Sequence, residues 1–518
     1  MMGHQMISTT EQAFMDAVSR LAYCNPFLPE RITHEQAALG PAFVEGGKPW
    51  NVHPDRAGVD VNLTRLMERA EPLVAKLGAR MREGARPREA ERQQYEDLAL
   101  FVLYYRYLPR FRHPVTDAST DHAGGVASKP RPVAFYRQFV ADARAFFDVP
   151  GVALPDDREL PHLFACFFQM RRAFDLIFSC IIGVSAPAVR LRAEVWQSIF
   201  THDMRRYRRR LYDRMGDLTT LVTGPSGTGK ELVASAIGRA RYVAFDPDAR
   251  RFTADAVGAF RAINLSALSP TLIESELFGH VRGSFTGAVA DHVGWLEACP
   301  AEGAVFLDEI GDLDGSIQVK LLRVLQTRTF HRIGDTTPRV FEGKIIAATN
   351  RDLTAGMQAG RFRNDLYYRL CSDLIRTPSL GERLRDEPGE LSDLVAHIIE
   401  RQLGDTDDTL VDETLTWIDA NLGRDYAWPG NIRELEQCVR NILIRGVYRP
   451  AGAAAGDTPG GGDDLTRSLA CINAANLTAD ELVRRYCTLV YQQCGSYVET
   501  ARRLGLDRRT VRARVGND

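Results

Sequence analysis

One short stretch constrains this chain more than any other. Gly224–Glu231 reads GPSGTGKE, preceded by the run LTTLVT and followed by the helix-like ELVASAIGRA. Strand, glycine loop and helix in that order are what a phosphate cradle requires. Glycines let successive backbone N–H groups converge on an anion without Cβ clashes, and Lys230 adds a point charge. Gly224, Pro225, Ser226, Gly227, Thr228, Gly229, Lys230 and Glu231 are therefore the candidate cofactor-binding set, with ATP as the nucleotide. The position after the lysine ordinarily carries a Ser or Thr hydroxyl for Mg2+, and here it is Glu231. A second stretch, AVFLDEI over Ala304–Ile310, is an apolar strand ending in two carboxylates. At the C-terminal end of a strand these sit beside the phosphate loop, Asp308 as the metal (Mg2+) ligand and Glu309 polarising the attacking water.

Short β-type runs alternate with helical ones from Leu218 to Asn350: LTTLVTG, FRAINL, GAVFLDE and GKIIAATN. That alternation predicts an α/β fold, a parallel sheet with flanking helices. At 518 residues the chain exceeds one core and predicts roughly three or four units. Residues 1–190 read as a mainly α-helical N-terminal domain, with apolar residues at helical spacing over Tyr95–Tyr107 and Val133–Phe147, punctuated at Pro114, Pro130, Pro132 and Pro150. Residues 191–385 hold the α/β core and 386–450 a helical lid. Residues 451–478 include AGAAAGDTPGGGDD, a flexible tether by composition, and 479–518 a compact helical module.

With both acids and the loop in view, the chain resembles the enhancer-binding AAA+ activators of sigma-54 RNA polymerase, from about residue 195 to 450 and over the last forty residues. In that family glutamate follows the loop lysine, so Glu231 fits. The resemblance implies an AAA+ P-loop NTPase fold, ATP hydrolysis in an oligomeric ring, dimer to hexamer, and remodelling of the sigma-54 closed complex. It implies that Asn264 in FRAINLSAL holds the catalytic glutamate in check. It implies that Thr349 and Asn350 in AATNRDL sense the γ-phosphate, that one or both of the paired Arg363 and Arg369 in GRFRNDLYYRL reach a neighbouring subunit's site, and that Arg433 in WPGNIRELE is the lid's sensor arginine. A guanidinium delivered in trans suits the charge that phosphoryl transfer builds on equatorial oxygens. ESELFGHVRGSFTGA, Glu274–Ala288, matches the family's sigma-54 contact loop, with Gly283, Ser284, Phe285, Thr286, Gly287 and Ala288 as its tip and Ser284 where alanine is usual. An aromatic and a threonine between glycines suit an exposed tip that buries against a partner.

Three further stretches depart from the family pattern. The stretch RYVAFDPDARRFTADAVGAF is longer by roughly ten residues and predicts a surface insertion. TPSLGERLRDE replaces a proline-rich segment. HDMRRYRRRLYDRM is strongly basic, read as a solvated helix face.

Ser496–Val515 reads as two short helices about a turn, with Gly505 permitting the turn and Asp507 capping the second helix. It resembles the Fis-type helix-turn-helix, implying double-stranded DNA as partner through Arg508, Arg509, Thr510, Arg512 and Arg514, with the helix Asp480–Gln493 aiding dimeric display. A net charge of −2 argues against coating of nucleic acid by the whole molecule, so the basic module acts locally. Residues 1–190 carry no recognised sensor pattern. Their signature is aromatic density, including Phe101, Tyr104, Tyr105, Phe164, Phe167 and Phe174, read first as core and second as a ligand pocket. Nine cysteines lie from Cys24 to Cys494 without metal spacing, and no apolar stretch is long enough to span a bilayer. Reduced thiols and a cytoplasmic location, without membrane partners, are expected. Two other functions share these residues: a DNA-binding regulator whose ATP site controls assembly only, and an AAA+ remodeller of another protein.

Overall fold

The four apolar runs become strands of one parallel sheet. In chain order the strands are β1 (Thr220–Thr223), β2 (Phe245–Asp246), β3 (Arg251–Phe252), β4 (Phe260–Asn264), β5 (Ala304–Asp308), β6 (Thr329–Phe330), β7 (Arg339–Val340), β8 (Lys344–Thr349) and β9 (Asp373–Arg376). Five form the sheet, in the order β4-β5-β8-β1-β9, and the short pairs β2–β3 and β6–β7 are separate hairpins. This computed structural model describes residues 7–45, 60–120, 130–152, 159–255, 259–405, 407–450 and 479–515; the expected tether at 451–478 lies outside them. Residues 1–446 form one compact unit and 447–518 another.

Side chains alternate across a strand, and both faces of this sheet are covered. Ala304 and Phe306 of β5 join Val222, Ile346 and Ile375 on one face, against the helices Lys230–Arg239 and Ala186–Phe200. Val305 and Leu307 join Leu221, Ile263 and Ile345 on the other, against Pro270–Phe278, Gly315–Thr327 and Asn364–Leu370. Phe306 is 1% exposed, a burial that stabilises by about 2 kcal/mol. All strand C-termini point the same way, so Thr223, Asn264, Asp308 and Thr349 reach one edge of the sheet. Four helices after β9, Leu380–Asp386, Glu390–Leu403, Asp408–Asn421 and Asn431–Arg445, make the lid.

The N-terminal helices are Thr9–Tyr23, Glu30–Leu39, Val61–Arg82, Glu89–Thr120, Tyr136–Phe147 and Glu159–Cys180. Glu89–Thr120 runs through Pro114 rather than stopping there. The helix Ala186–Phe200 crosses the expected boundary at 190 and buries Val195, Trp196 and Phe200 with sheet residues. Its entry segment is fixed by the lid: Glu390, fully buried, accepts from Val184 N (2.8 Å) and Ser185 N (2.6 Å) and pairs with Arg383. Arg383 comes from the unusual TPSLGERLRDE stretch and Glu390 lies three residues beyond it, so that departure from the family pattern has a structural partner.

The expected surface insertion is only in part on the surface, where Asp248 and Arg251 are exposed. Val243, Phe245 and Phe252 are buried in the N-terminal aromatic core. Phe245 meets Phe164 at 4.7 Å and Tyr136 at 4.5 Å, and Phe252 stacks on Phe168 at 4.1 Å. Val133 N donates to Arg250 O at 2.7 Å. Loop length predicted exposure, but the apolar residues of the hairpin are worth more buried against those rings than in water. The basic run is likewise only in part a solvated face. Arg206, Arg209 and Arg210 are exposed, whereas Arg205 pairs with the buried Asp97 and lies over the Tyr23 ring, and Tyr207 is buried.

Candidate functional site

β1 delivers the chain into the phosphate loop, whose glycines hold φ values of 148° (Gly224), 77° (Gly227) and 88° (Gly229), left-handed conformations that cost other residues dearly. Gly229 is the N-cap of Lys230–Arg239, which aims the first N–H groups of that helix at the loop's hollow. Lys230 Nζ donates to Gly224 O and Pro225 O, both at 3.1 Å, and burial lowers its pKa against the pull of Glu309 and Asp308. Thr228 Oγ1 shares a 2.7 Å hydrogen bond with Thr377 Oγ1 and donates to Pro225 O at 2.9 Å. Glu231 faces solvent.

The lid closes on this loop through the turn Trp428–Asn431, where Trp428 and Asn431 take φ of 47° and 54°, a strain held by Asn431's bonds. Asn431 Nδ2 donates to Ser226 O (2.9 Å), its Oδ1 accepts from Leu380 N (2.8 Å), and Arg433 Nη1 reaches Ser226 Oγ at 3.3 Å. Arg433 is thus at the loop.

β5 brings Asp308 and Glu309 to the same edge. Burial raises the Asp308 pKa; its Oδ1 accepts from Glu309 N at 3.1 Å, and its other oxygen has no hydrogen-bond partner among the described residues. A half-buried carboxylate with a free oxygen beside Lys230 fits a cation such as Mg2+. Glu309 itself takes φ of 56°, and its Oε2 accepts from Asn350 N at 3.3 Å. Thr349, fully buried, accepts from Arg351 N at 3.0 Å. Asn264 lies in register with Asp308, yet its Oδ1 takes Ser266 N (3.0 Å) and Ser266 Oγ (2.8 Å), and no hydrogen bond joins it to Glu309. Arg363 caps the start of the helix Asn364–Leu370, Arg369 lies in its last turn, and both are exposed. Arg363 pairs with Asp365 at 2.7 Å, and Arg369 has no ion-pair partner among the described residues.

Thr377 and Asn431 escaped the sequence reading. Each works through a partner 149 or 205 residues away, and only the threonine after β9, in TPSL, offered a hint.

Helix Pro270–Phe278 leads from β4 to the second glycine loop. Gly283 N donates to Ala288 O at 2.8 Å and Ala288 N to Phe285 O at 3.0 Å, a tight turn with Gly283 at φ 79° and Gly287 at 104°. Thr286 and Gly287 are exposed, Ala288 buried. Phe285 departs from the expected free tip: it is half-buried, edge-on to the His280 ring at 4.9 Å. Ser284 abuts Gly334 of the loop between β6 and β7, and its buried hydroxyl has no hydrogen-bond partner.

Residues 199–375 match the family described as the Sigma-54 interaction domain. A sigma54-dependent transcriptional activator, SfnR of Pseudomonas putida, is 36% identical over 58% of this chain and 81% of its own length. The chain belongs to the sigma-54-dependent transcriptional activators. The Nif-specific regulatory protein of Azotobacter vinelandii is 39% identical over 59% of this chain, and the regulator NtrC of Rhizobium meliloti (strain 1021) 43% identical over 44%. The chain spans about half the length of those two activators, 56% and 43%. A crystal structure of NtrX from Brucella abortus in complex with ATP aligns at 25% identity over 67% of this chain and 72% of that one, with a TM-score of 0.39.

In the second unit, helices Ala479–Cys494, Tyr497–Leu504 and Arg508–Val515 pack around Cys487, Val490, Ala501 and Val511. Gly505 turns at φ 64° and Asp507 Oδ1 accepts from Arg509 N at 2.8 Å, as expected of the turn and the cap. Arg508, Arg509, Thr510 and Arg512 are exposed on one short helix; Arg514 is half-buried, near the Cys487 thiol. No helix among the described residues is long and apolar enough to cross a membrane.

Proposed function

We propose that this activator hydrolyses ATP in an oligomeric ring and uses the Gly283–Ala288 loop to remodel the sigma-54 RNA polymerase closed complex. One observation carries the reading. Asn264, at the nucleotide edge, and the exposed Thr286 are joined by a single helix, Pro270–Phe278, whose Leu277 and Phe278 are anchored in the sheet's second face. A change in what Asn264 and Glu309 bond to at the sheet edge is therefore transmitted to the tip as a rigid displacement. In this state Glu309 is held by Asn350; its release from that N–H frees it to orient water.

Mg2+, held by Asp308, supplies charge neutralisation at the phosphates when bound. Lys230 and Arg433 hold the phosphates from within the subunit. Arg363 and Arg369, exposed and without a hydrogen bond to the phosphate loop of their own chain, support delivery in trans, which makes turnover depend on a hexameric ring. The exposed Arg508, Arg509, Thr510 and Arg512 support a helix-turn-helix on enhancer DNA, with Arg509 and Arg508 at the helix start where base edges are met. A cytoplasmic location follows from that role.

The test is transcription in vitro from a sigma-54 promoter. Thr286→Ala should abolish open-complex formation while ATPase persists, and retained activation by that variant overturns the reading. A regulator whose ATP site controls assembly only would instead activate normally as Glu309→Gln.

A further inference from the structure

We infer that the N-terminal helices enclose a binding site for a small apolar molecule with one acidic group. A cavity of about 580 Å³ opens between the helices Thr9–Tyr23, Glu30–Leu39, Glu89–Thr120, Glu159–Cys180 and Ala186–Phe200. Protein cores leave few voids larger than a water molecule, and small-molecule pockets run from roughly 300 to 1,000 Å³. The walls are rings: Tyr104, Tyr105, Phe167, Phe174, Phe178 and Trp196.

Tyr104 and Tyr105 mark the void as a site rather than loose packing. Burial raises both phenols above the usual tyrosine range, yet both side chains keep accessible surface, and both line the cavity. Neither hydroxyl has a hydrogen-bond partner among the described residues, although buried tyrosines normally find one. The hydroxyls are thus open to a ligand.

The charges in the wall select its polarity. Arg31 is balanced by Glu35 at 2.8 Å, and Arg171 by Asp175 at 2.7 Å. Arg208, half-buried in the same wall, has no ion-pair or donor partner among the described residues. Glu96 lies within electrostatic reach of Arg208 but makes no ion pair with it, so the guanidinium keeps its N–H donors for one carboxylate, sulfonate or phosphate. Cys24 and Cys166, also in the wall, are held as thiols, with burial pushing them up to about 11 and about 12, so they offer no competing anion or nucleophile.

The test titrates the full chain with 8-anilinonaphthalene-1-sulfonate, an apolar ring system with one acid, and with its uncharged counterpart N-phenyl-1-naphthylamine. Saturable fluorescence with one sulfonate per chain is expected, the uncharged probe binding about tenfold more weakly, the scale of one charge-assisted bond. Arg208→Gln should erase that difference without abolishing either probe. Ala22→Trp, which fills the void from the first helix, should abolish both, with Ile32→Trp from the second helix as the equivalent if the first variant fails to melt cooperatively. Unsaturable binding, binding unchanged by both tryptophans, or equal affinity for the two probes in the wild type overturns the proposal.

Discussion

The phosphate loop and the tip loop both turn on glycines with positive φ, 148°, 77° and 88° in one, 79° and 104° in the other. Their surroundings are opposite. A Cβ on Gly224 would fall on Thr377 Oγ1 and one on Gly227 on the Gly430 carbonyl, whereas around Gly283 and Gly287 nothing lies within 4 Å. The first loop is clamped between β1, the threonine after β9 and the lid turn. The second is free at its glycines and held through Phe285 on His280, Ser284 on Gly334 and the buried Ala288. Composition alone does not separate a cradle from a projecting finger; the neighbours do, and they decide which loop holds its ligand in place and which can move.

The largest effect that would sharpen this contrast is expected from Gly227→Ala. The added methyl meets backbone, which cannot rotate away, in a conformation alanine resists. Nucleotide affinity, read by isothermal titration, should fall at least about 100-fold, the equivalent of roughly 3 kcal/mol. Next comes Thr377→Val, isosteric but without the hydroxyl that joins Thr228 to Thr223 O. Losing a buried partner costs about 1–3 kcal/mol, so a drop of about tenfold in affinity is expected, and an unchanged value would mean that the loop is not clamped from β9.

The strands β1, β4, β5 and β8 were legible because apolar runs ending in Gly, Asp-Glu or Asn carry their own signal. β9 was not, since DLIR has one deeply buried side chain, Ile375. The β2–β3 hairpin was misread because its burial is decided by Phe164 and Phe168, far away in the chain, and no local pattern contains them. The candidate nucleotide residues could be read as a set because the spacing of a phosphate loop is dictated by the anion it must hold, and the fold brings Lys230, Asp308, Glu309 and Arg433 to one edge of the sheet. Who holds whom was less readable: Glu309 leans on Asn350 N, not on Asn264, a choice made by the positive φ of Glu309 and by Asn264 capping the turn at Ser266.

A smaller effect separates the loops by titration. Burial lowers Lys230 below the ordinary 10.5, so between its folded value and 10.5 the unfolded chain binds more protons. Stability therefore rises with pH across that window, and thermal melting followed upward from neutral pH should show the rise. Lys230→Met should flatten it. Thr286→Ala in the tip loop should leave it untouched, because no titrating group there is buried.

The smallest effect belongs to Gly283→Ala. The methyl meets no atom, so the cost is that of the backbone at φ 79° alone, about 1–2 kcal/mol for a residue other than glycine. Spread over a unit of this size it should lower the melting temperature by only a few degrees and leave ATPase unchanged. A fall matching that of Gly227→Ala would mean that the tip glycine is packed against something, and the distinction between a clamped cradle and a free finger would collapse. A small fall with lost promoter activation would sharpen it, since the backbone freedom of the tip, rather than its packing, would then be what the polymerase contact uses.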